Sequence, residues 1–115
     1  MFYKKKKDFY ITPLKGVRQK TLVYGDNTLI TEFLLDGGSH LPLHHHPHEQ
    51  TGYLVKGKLK MIIGDGSFLT EPGDAWCIPG NMVHGAEAIK DSKAVEIFSP
   101  VRQEYLPEKQ KKSIS

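Results

Sequence analysis

Gly38 to Gly57, GSHLPLHHHPHEQTGYLVKG, holds five of the six histidines of this 115-residue chain and closes on a glycine turn. In a β-strand alternate side chains share a face, so parity puts His44, His46, His48 and Gln50 on one side and His45, Pro47 and Glu49 on the other. One face then carries three imidazoles and an amide oxygen. Neutral imidazole nitrogen suits zinc, copper, iron and nickel, and mixed nitrogen and oxygen sets with an open position suit catalytic metals. A histidine-rich tract can equally be a solvated surface run. A second element is needed to single out a site.

Gly73 to His84, GDAWCIPGNMVH, is that element. Together the two stretches resemble the paired signatures of the cupin superfamily: Gly, five residues, His-x-His, three or four residues, Glu, six residues, Gly; then Gly, five residues, Pro-x-Gly, two residues, His. Gly38, His44, His46, Gly57, Gly73, Pro79 and His84 fall at those spacings, and fifteen residues separate the two motifs. Three positions depart from the pattern: Gln50 stands in the acidic ligand's place, Asn81 replaces an internal glycine, and Ala88 replaces the final asparagine. Glutamine is a known variant at that third ligand position.

Length allows one domain with a real core and no more. The formal charge of +3 is misleading, because Lys4 to Lys7 with Lys109, Lys111 and Lys112 supply seven of the sixteen cations. Residues 8–108 carry nine cations against thirteen acids, so the body is acidic and offers no basic face for nucleic acid. Neither a membrane span nor a signal peptide is visible. Cys77 is the lone cysteine, which forbids an intrachain disulfide; its neighbours Trp76 and Ile78 give the expectation of a buried, inert thiol in a reducing cytoplasm.

Short β-type runs between turn residues order the chain: Val17–Tyr24, Thr28–Leu35, Gln50–Val55, Lys58–Ile63, Ser67–Thr70, Ala75–Ile78 and Lys93–Ser99. No sustained helical period interrupts them. The fold class is therefore all-β, which the resemblance narrows to a single-domain double-stranded β-helix, the cupin jelly-roll barrel. The expected division is an N-terminal arm or edge strand over 1–15, the barrel over 16–106, and a polar tail over 107–115 that frays from about Glu104 onward.

If His44, His46, Gln50 and His84 surround one divalent ion, nickel, zinc, iron, manganese or copper, every donor is neutral. The ion then keeps about two positive charges in a partly dehydrated cavity. An anionic substrate is favoured, with polarisation of a carbonyl or stabilisation of an enolate as the natural chemistry.

The last strand, AVEIFSPVR, adds Glu96 and Phe98 on one face and Arg102 just past its end. A carboxylate beside an aromatic ring in an apolar barrel is a tuned acid or base, and Arg102 could hold a carboxylate with two hydrogen bonds. The alternative is a solvent-facing Glu96 paired with Lys93 and an ordinary surface arginine. HPHEQTGYLVKG, IPGNMVHG and the closing acid-x-Phe-x-Pro-x-Arg resemble the small cupins of pectin and alginate breakdown, which ketonise 4,5-unsaturated monouronates. That resemblance covers about residues 16–106 and implies His44, His46, Gln50 and His84 as metal ligands, with Glu96, Phe98 and Arg102 as catalytic residues. The acid is more often aspartate in that family.

Parity also puts His48 on the ligand face, where the bend at Pro47 makes it a support for the ligands; His40 and His45 face outward. Tyr53, Phe68 and Trp76 are expected as packing residues. The function expected is metal-assisted tautomerisation of a small anionic sugar acid by a homodimer. An iron or copper dioxygenase and a non-enzymatic ligand-binding module are the alternatives.

Overall fold

The computed structural model describes residues 1–107. Ten strands appear among them: β1 Ile11–Leu14, β2 Val17–Tyr24, β3 Leu29–Leu35, β4 His40–His44, β5 Glu49–Lys56, β6 Leu59–Ile63, β7 Gly66–Thr70, β8 Ala75–Ile78, β9 His84–Ala88 and β10 Ser92–Ser99. They pair into a six-stranded sheet, β1-β2-β3-β10-β5-β8, and a four-stranded sheet, β4-β9-β6-β7, antiparallel throughout.

Period-two burial is clearest in the central strands. β3 buries Leu29, Thr31, Phe33 and Leu35 and turns Ile30, Glu32 and Leu34 outward; β10 buries Ser92, Ala94, Glu96 and Phe98. Leu54 and Ala94 from the larger sheet meet Leu59, Met61 and Ala86 from the smaller one. Leu54 and Phe98 have no exposed surface, and burial of such a side chain contributes about 1.5–3 kcal/mol. Gly57 closes the turn from β5 into β6 at φ 97°, and a Cβ there would lie 2.2 Å from Ser92 Oγ and 2.5 Å from the Asp91 carbonyl oxygen. The backbone conformation and the lack of space both require glycine.

Four sequence expectations change. His44 to Gln50 is not one strand: β4 ends at His44 in the small sheet, and β5 begins at Glu49 in the large one. Pro47, which has no N–H to give a ladder, lies in the crossing between the sheets, so side-chain parity does not carry from His44 to Gln50. β4 and β9 are strands that the turn pattern does not announce. Cys77 is exposed, because the side chains flanking it on β8 point to the opposite face.

The fourth change concerns the expected fraying from Glu104. Gln103–Tyr105 forms a 3-10 turn, and the Tyr105 ring packs against Phe33 at 6.5 Å and Phe98 at 5.2 Å between centroids. Thr21 Oγ1 on β2 donates a hydrogen bond to the Tyr105 carbonyl and latches the turn to the barrel. Of the expected tail only Pro107 is among the described residues. At the other end β1 pairs with β2 as an edge strand, and residues 1–9 are exposed. No helix among the described residues is long and apolar enough to cross a membrane.

Candidate metal centre

His44 and His84 sit directly opposite each other on β4 and β9, with ring centroids 4.2 Å apart. His46 reaches the same point from the crossing loop, 5.0 Å from the His84 ring and 5.8 Å from the His44 ring. One nitrogen from each of the three falls within 4.8 Å of the others. Gln50, the second residue of β5, approaches from the facing sheet, its Oε1 3.0 Å from His46 Nε2. Both sheets and the loop between them therefore build the cluster.

The ring orientations are set locally. His44 Nδ1 lies 2.7 Å from the Pro42 carbonyl oxygen, His84 Nδ1 2.8 Å from that of Met82, and His46 Nδ1 3.1 Å from that of His48. A carbonyl only accepts, so each Nδ1 carries the proton and each Nε2 keeps its lone pair. Such hydrogen bonds behind a ligand fix both its tautomer and its direction. His84 Nε2 is buried and has no hydrogen-bond partner.

Gln50 is oriented in the same way. Its side chain hydrogen-bonds the Glu96 carboxylate, which can only be through its amide N–H. Oε1 is left facing His46 Nε2, so two lone pairs meet at 3.0 Å. A proton between them is disfavoured: burial, then the charges of Arg102 and His84, push His46 down from 6.5 to about 4. His84 is lowered too, chiefly by burial. Unprotonated nitrogens and an amide oxygen aimed at one point suit a divalent transition ion, and the unpartnered His84 Nε2 is the observation that fits one.

Glu96 lies one step behind this cluster. It is 6% exposed, and Trp76 Nε1 donates to its Oε1 at 2.7 Å. Burial raises its pKa, against the opposing pull of the Gln50 and Trp76 hydrogen bonds and the Arg102 charge. The indole reaches it by lying across Gly52, where a Cβ would fall 2.2 Å from Trp76 Cε2 and Nε1. Trp76 thus does more than pack.

Phe98 is fully buried, its ring 5.8 Å from that of His46. The Arg102 guanidinium is stacked 5.2 Å from the Phe98 centroid and 4.2 Å from that of Tyr105, donating to Glu104 Oε1 at 3.0 Å and to the Tyr105 hydroxyl at 2.9 Å. Glu96, Phe98 and Arg102 all line one cavity of about 60 Å³ with His44, Gln50 and His84. Its remaining wall includes Leu35, Leu59, Met61, Ala86 and Ala94.

Other sequence candidates fall outside the cluster. His48 serves through its carbonyl, while its ring stands 5.5 Å from that of His46. His40, His45 and Glu49 are exposed. Tyr53 and Phe68 are half exposed, away from the cavity. Sequence reasoning missed Tyr105, which lines the cavity; its aromatic character beside Leu106, in an otherwise polar tail, was the available signal.

Comparison with known proteins agrees with this architecture. Residues 31–100 match the family described as Cupin domain. The chain is 25% identical over 93 residues to the pectin degradation protein KdgF of Dickeya dadantii (strain 3937), covering 79% of this chain and 84% of that protein. It is 32% identical over 83 residues to the H2HPP isomerase of Bacillus subtilis, covering 71% of this chain and only 35% of that protein. Among solved structures, KdgF from Halomonas sp. superposes with a TM-score of 0.87 at 27% identity, covering 92% of this chain and all of that one. An RmlC-like cupin from Shewanella frigidimarina NCIMB 400 gives 0.83 at 21% identity, over 87% of this chain and 90% of its own, a likeness of fold. With the family match running over more than half its length on a two-sheet barrel, this chain belongs to the cupin family.

Proposed function

We propose that the chain is a metal-dependent enzyme that tautomerises a small unsaturated uronate or closely related sugar acid, as the KdgF relatives' role in pectin degradation implies. The metal ligands in this reading are His44, His46, Gln50 and His84. A divalent ion held there supplies polarisation of a bound oxygen. The protein's own residues do the rest. Arg102 orients the substrate carboxylate and Phe98 shapes the wall beside it. Glu96 moves the proton, and its raised pKa brings it closer to neutrality, where an acid-base group works best.

The observation that carries the reading is the set of lone pairs at the cluster: three Nδ1 atoms committed to carbonyls, with Gln50 Oε1 facing His46 Nε2 at 3.0 Å. Apolar side chains exposed on the outer face of the large sheet, Tyr53, Val55 and Ile97, support a homodimer.

Metal analysis of the purified protein, followed by assay on 4,5-unsaturated monouronates, tests the proposal. The expected result is near-stoichiometric divalent metal and ketonisation without oxygen uptake. Metal-dependent oxygen consumption would transfer the site to dioxygenase chemistry, and metal binding without turnover of any acid would leave a ligand-binding module.

A further inference from the structure

Arg102 and Tyr105 form a corner of the cavity in which donors outnumber acceptors. Arg102 has five N–H groups; one goes to Glu104 and one to the Tyr105 hydroxyl. The hydroxyl oxygen accepts from Arg102, which leaves its own proton to donate. Behind it lies the Gln19 side chain, 2% exposed on β2, which reaches the same hydroxyl oxygen and whose amide nitrogen has no other hydrogen-bond partner among the described residues. A buried donor without an acceptor is costly. The remaining Arg102 N–H groups and the Tyr105 O–H, meeting at one end of the cavity, suit an anionic acceptor.

We propose that Tyr105 is a specificity-determining residue whose hydroxyl donates a hydrogen bond to the substrate carboxylate beside Arg102. The inference rests on the carboxylate-orienting role given to Arg102 above and adds a second donor to it. Anchoring supports the assignment, because Tyr105 is fixed at both ends: its carbonyl accepts from Thr21 on β2, and its hydroxyl accepts from Arg102. The ring is wedged edge-on against Phe98 and Phe33, at interplanar angles of 86° and 67°. A hydroxyl held this firmly gives up little freedom when an anion arrives. Burial pushes the phenol up to about 12, so it remains a donor across the working pH range. The pair also separates acids from neutral sugars: without an anion the corner keeps its unmet N–H and O–H groups, and an uncharged ligand relieves them poorly.

The test is binding to the metal-loaded protein, followed by emission of Trp76, the single tryptophan, which lines the same cavity. D-galacturonate and phenylpyruvate serve as acids, with galactose and phenylacetone as their neutral counterparts. Tyr105→Phe keeps both ring contacts, and its melting temperature checks the fold. The expected result is about a tenfold loss of affinity for whichever acid wild type binds, as for a hydrogen bond to a charged group, with less than about a twofold change for its neutral counterpart. Gln19→Leu is the second variant, expected to lose about threefold on the acid alone, and it decides the matter if Tyr105→Phe does not fold.

Acid affinity unchanged within about twofold, equal losses on acid and neutral ligand, or no binding of either acid by wild type would overturn the proposal. Binding of phenylpyruvate in place of galacturonate, with the same acid-selective loss in Tyr105→Phe, supports the corner while removing the uronate reading.

Discussion

The backbone N–H of Asn81 donates to the carbonyl oxygen of His46 at 2.7 Å, joining the turn of the second motif to the loop that carries a candidate ligand of the first. Asn81 holds this position at φ 66°, in the left-handed region where asparagine is among the few tolerated residues with a side chain. Asn81→Gly is expected to melt within a few degrees of wild type. Asn81→Val, strained at the same φ, should lose about 1–3 kcal/mol in chemical denaturation and bind metal more weakly. Equal stability of the two variants would show that the brace is not under conformational tension.

Metal should stabilise the fold through the cluster. At a free ion concentration of about one hundred times Kd, linkage gives about 2.7 kcal/mol, a rise in melting temperature on the order of 10 °C for a domain of this size. His84→Ala should abolish the rise, because it removes the most buried of the three ring donors. Differential scanning fluorimetry with EDTA and then added nickel or zinc reads both effects.

Gly52 and Trp76 form a coupled pair. Gly52→Ala puts a methyl group 2.2 Å from the indole, so the ring must leave and the hydrogen bond to Glu96 goes with it. A loss of about 1–3 kcal/mol is expected, with a shift in Trp76 emission. Trp76→Phe removes the N–H together with part of the ring that lies over Gly52; in a double-mutant cycle the two losses should fall well short of adding.

Glu96→Gln leaves an acceptor for Trp76 but cannot exchange a proton. Metal content should stay at the wild-type level while kcat falls by about 10²–10⁴. Equal kcat for variant and wild type would remove Glu96 from the chemistry.

In metal-free protein, His46 and Glu96 should pull stability in opposite directions. His46 has its folded pKa depressed from 6.5 to about 4, so its contribution is complete above the unfolded value and is lost as pH falls through about 4. Glu96 has its folded pKa raised, so its contribution is complete below the ordinary carboxyl value and is lost as pH rises through the folded one. Urea unfolding between about pH 4 and about pH 8 should show Glu96→Gln gaining on wild type as pH rises. A difference independent of pH would contradict the burial of an ionisable carboxyl group at this position.

Much of this architecture was legible in the sequence for physical reasons that also explain what was not. Strands such as β3 and β10 alternate cleanly because one face is in the core, and turn residues mark their ends, Gly37 and Gly38 after β3 and Pro100 after β10. β4, HLPLH, and β9, HGAEA, lack the β-branched residues that advertise a strand, and they pair only because the rest of the barrel presents partners. Parity misplaced the route to the cluster, since it assumes an unbroken strand, whereas the chain changes sheets between His44 and Glu49. The motif spacing names residues that the fold does bring together, because it records the closed barrel, including that crossing. Cys77 shows a related limit: apolar neighbours in sequence occupy the opposite face of a strand and say nothing about burial. Tyr105 escaped notice because its anchoring comes from Thr21, eighty-four positions away.

The three imidazoles are steered by main-chain oxygens of Pro42, Met82 and His48, not by side chains. Exchanges at positions 42, 82 and 48 that preserve the chain path should therefore be silent at the cluster, leaving this rim of the barrel free to drift and to acquire new surface contacts without retuning the centre.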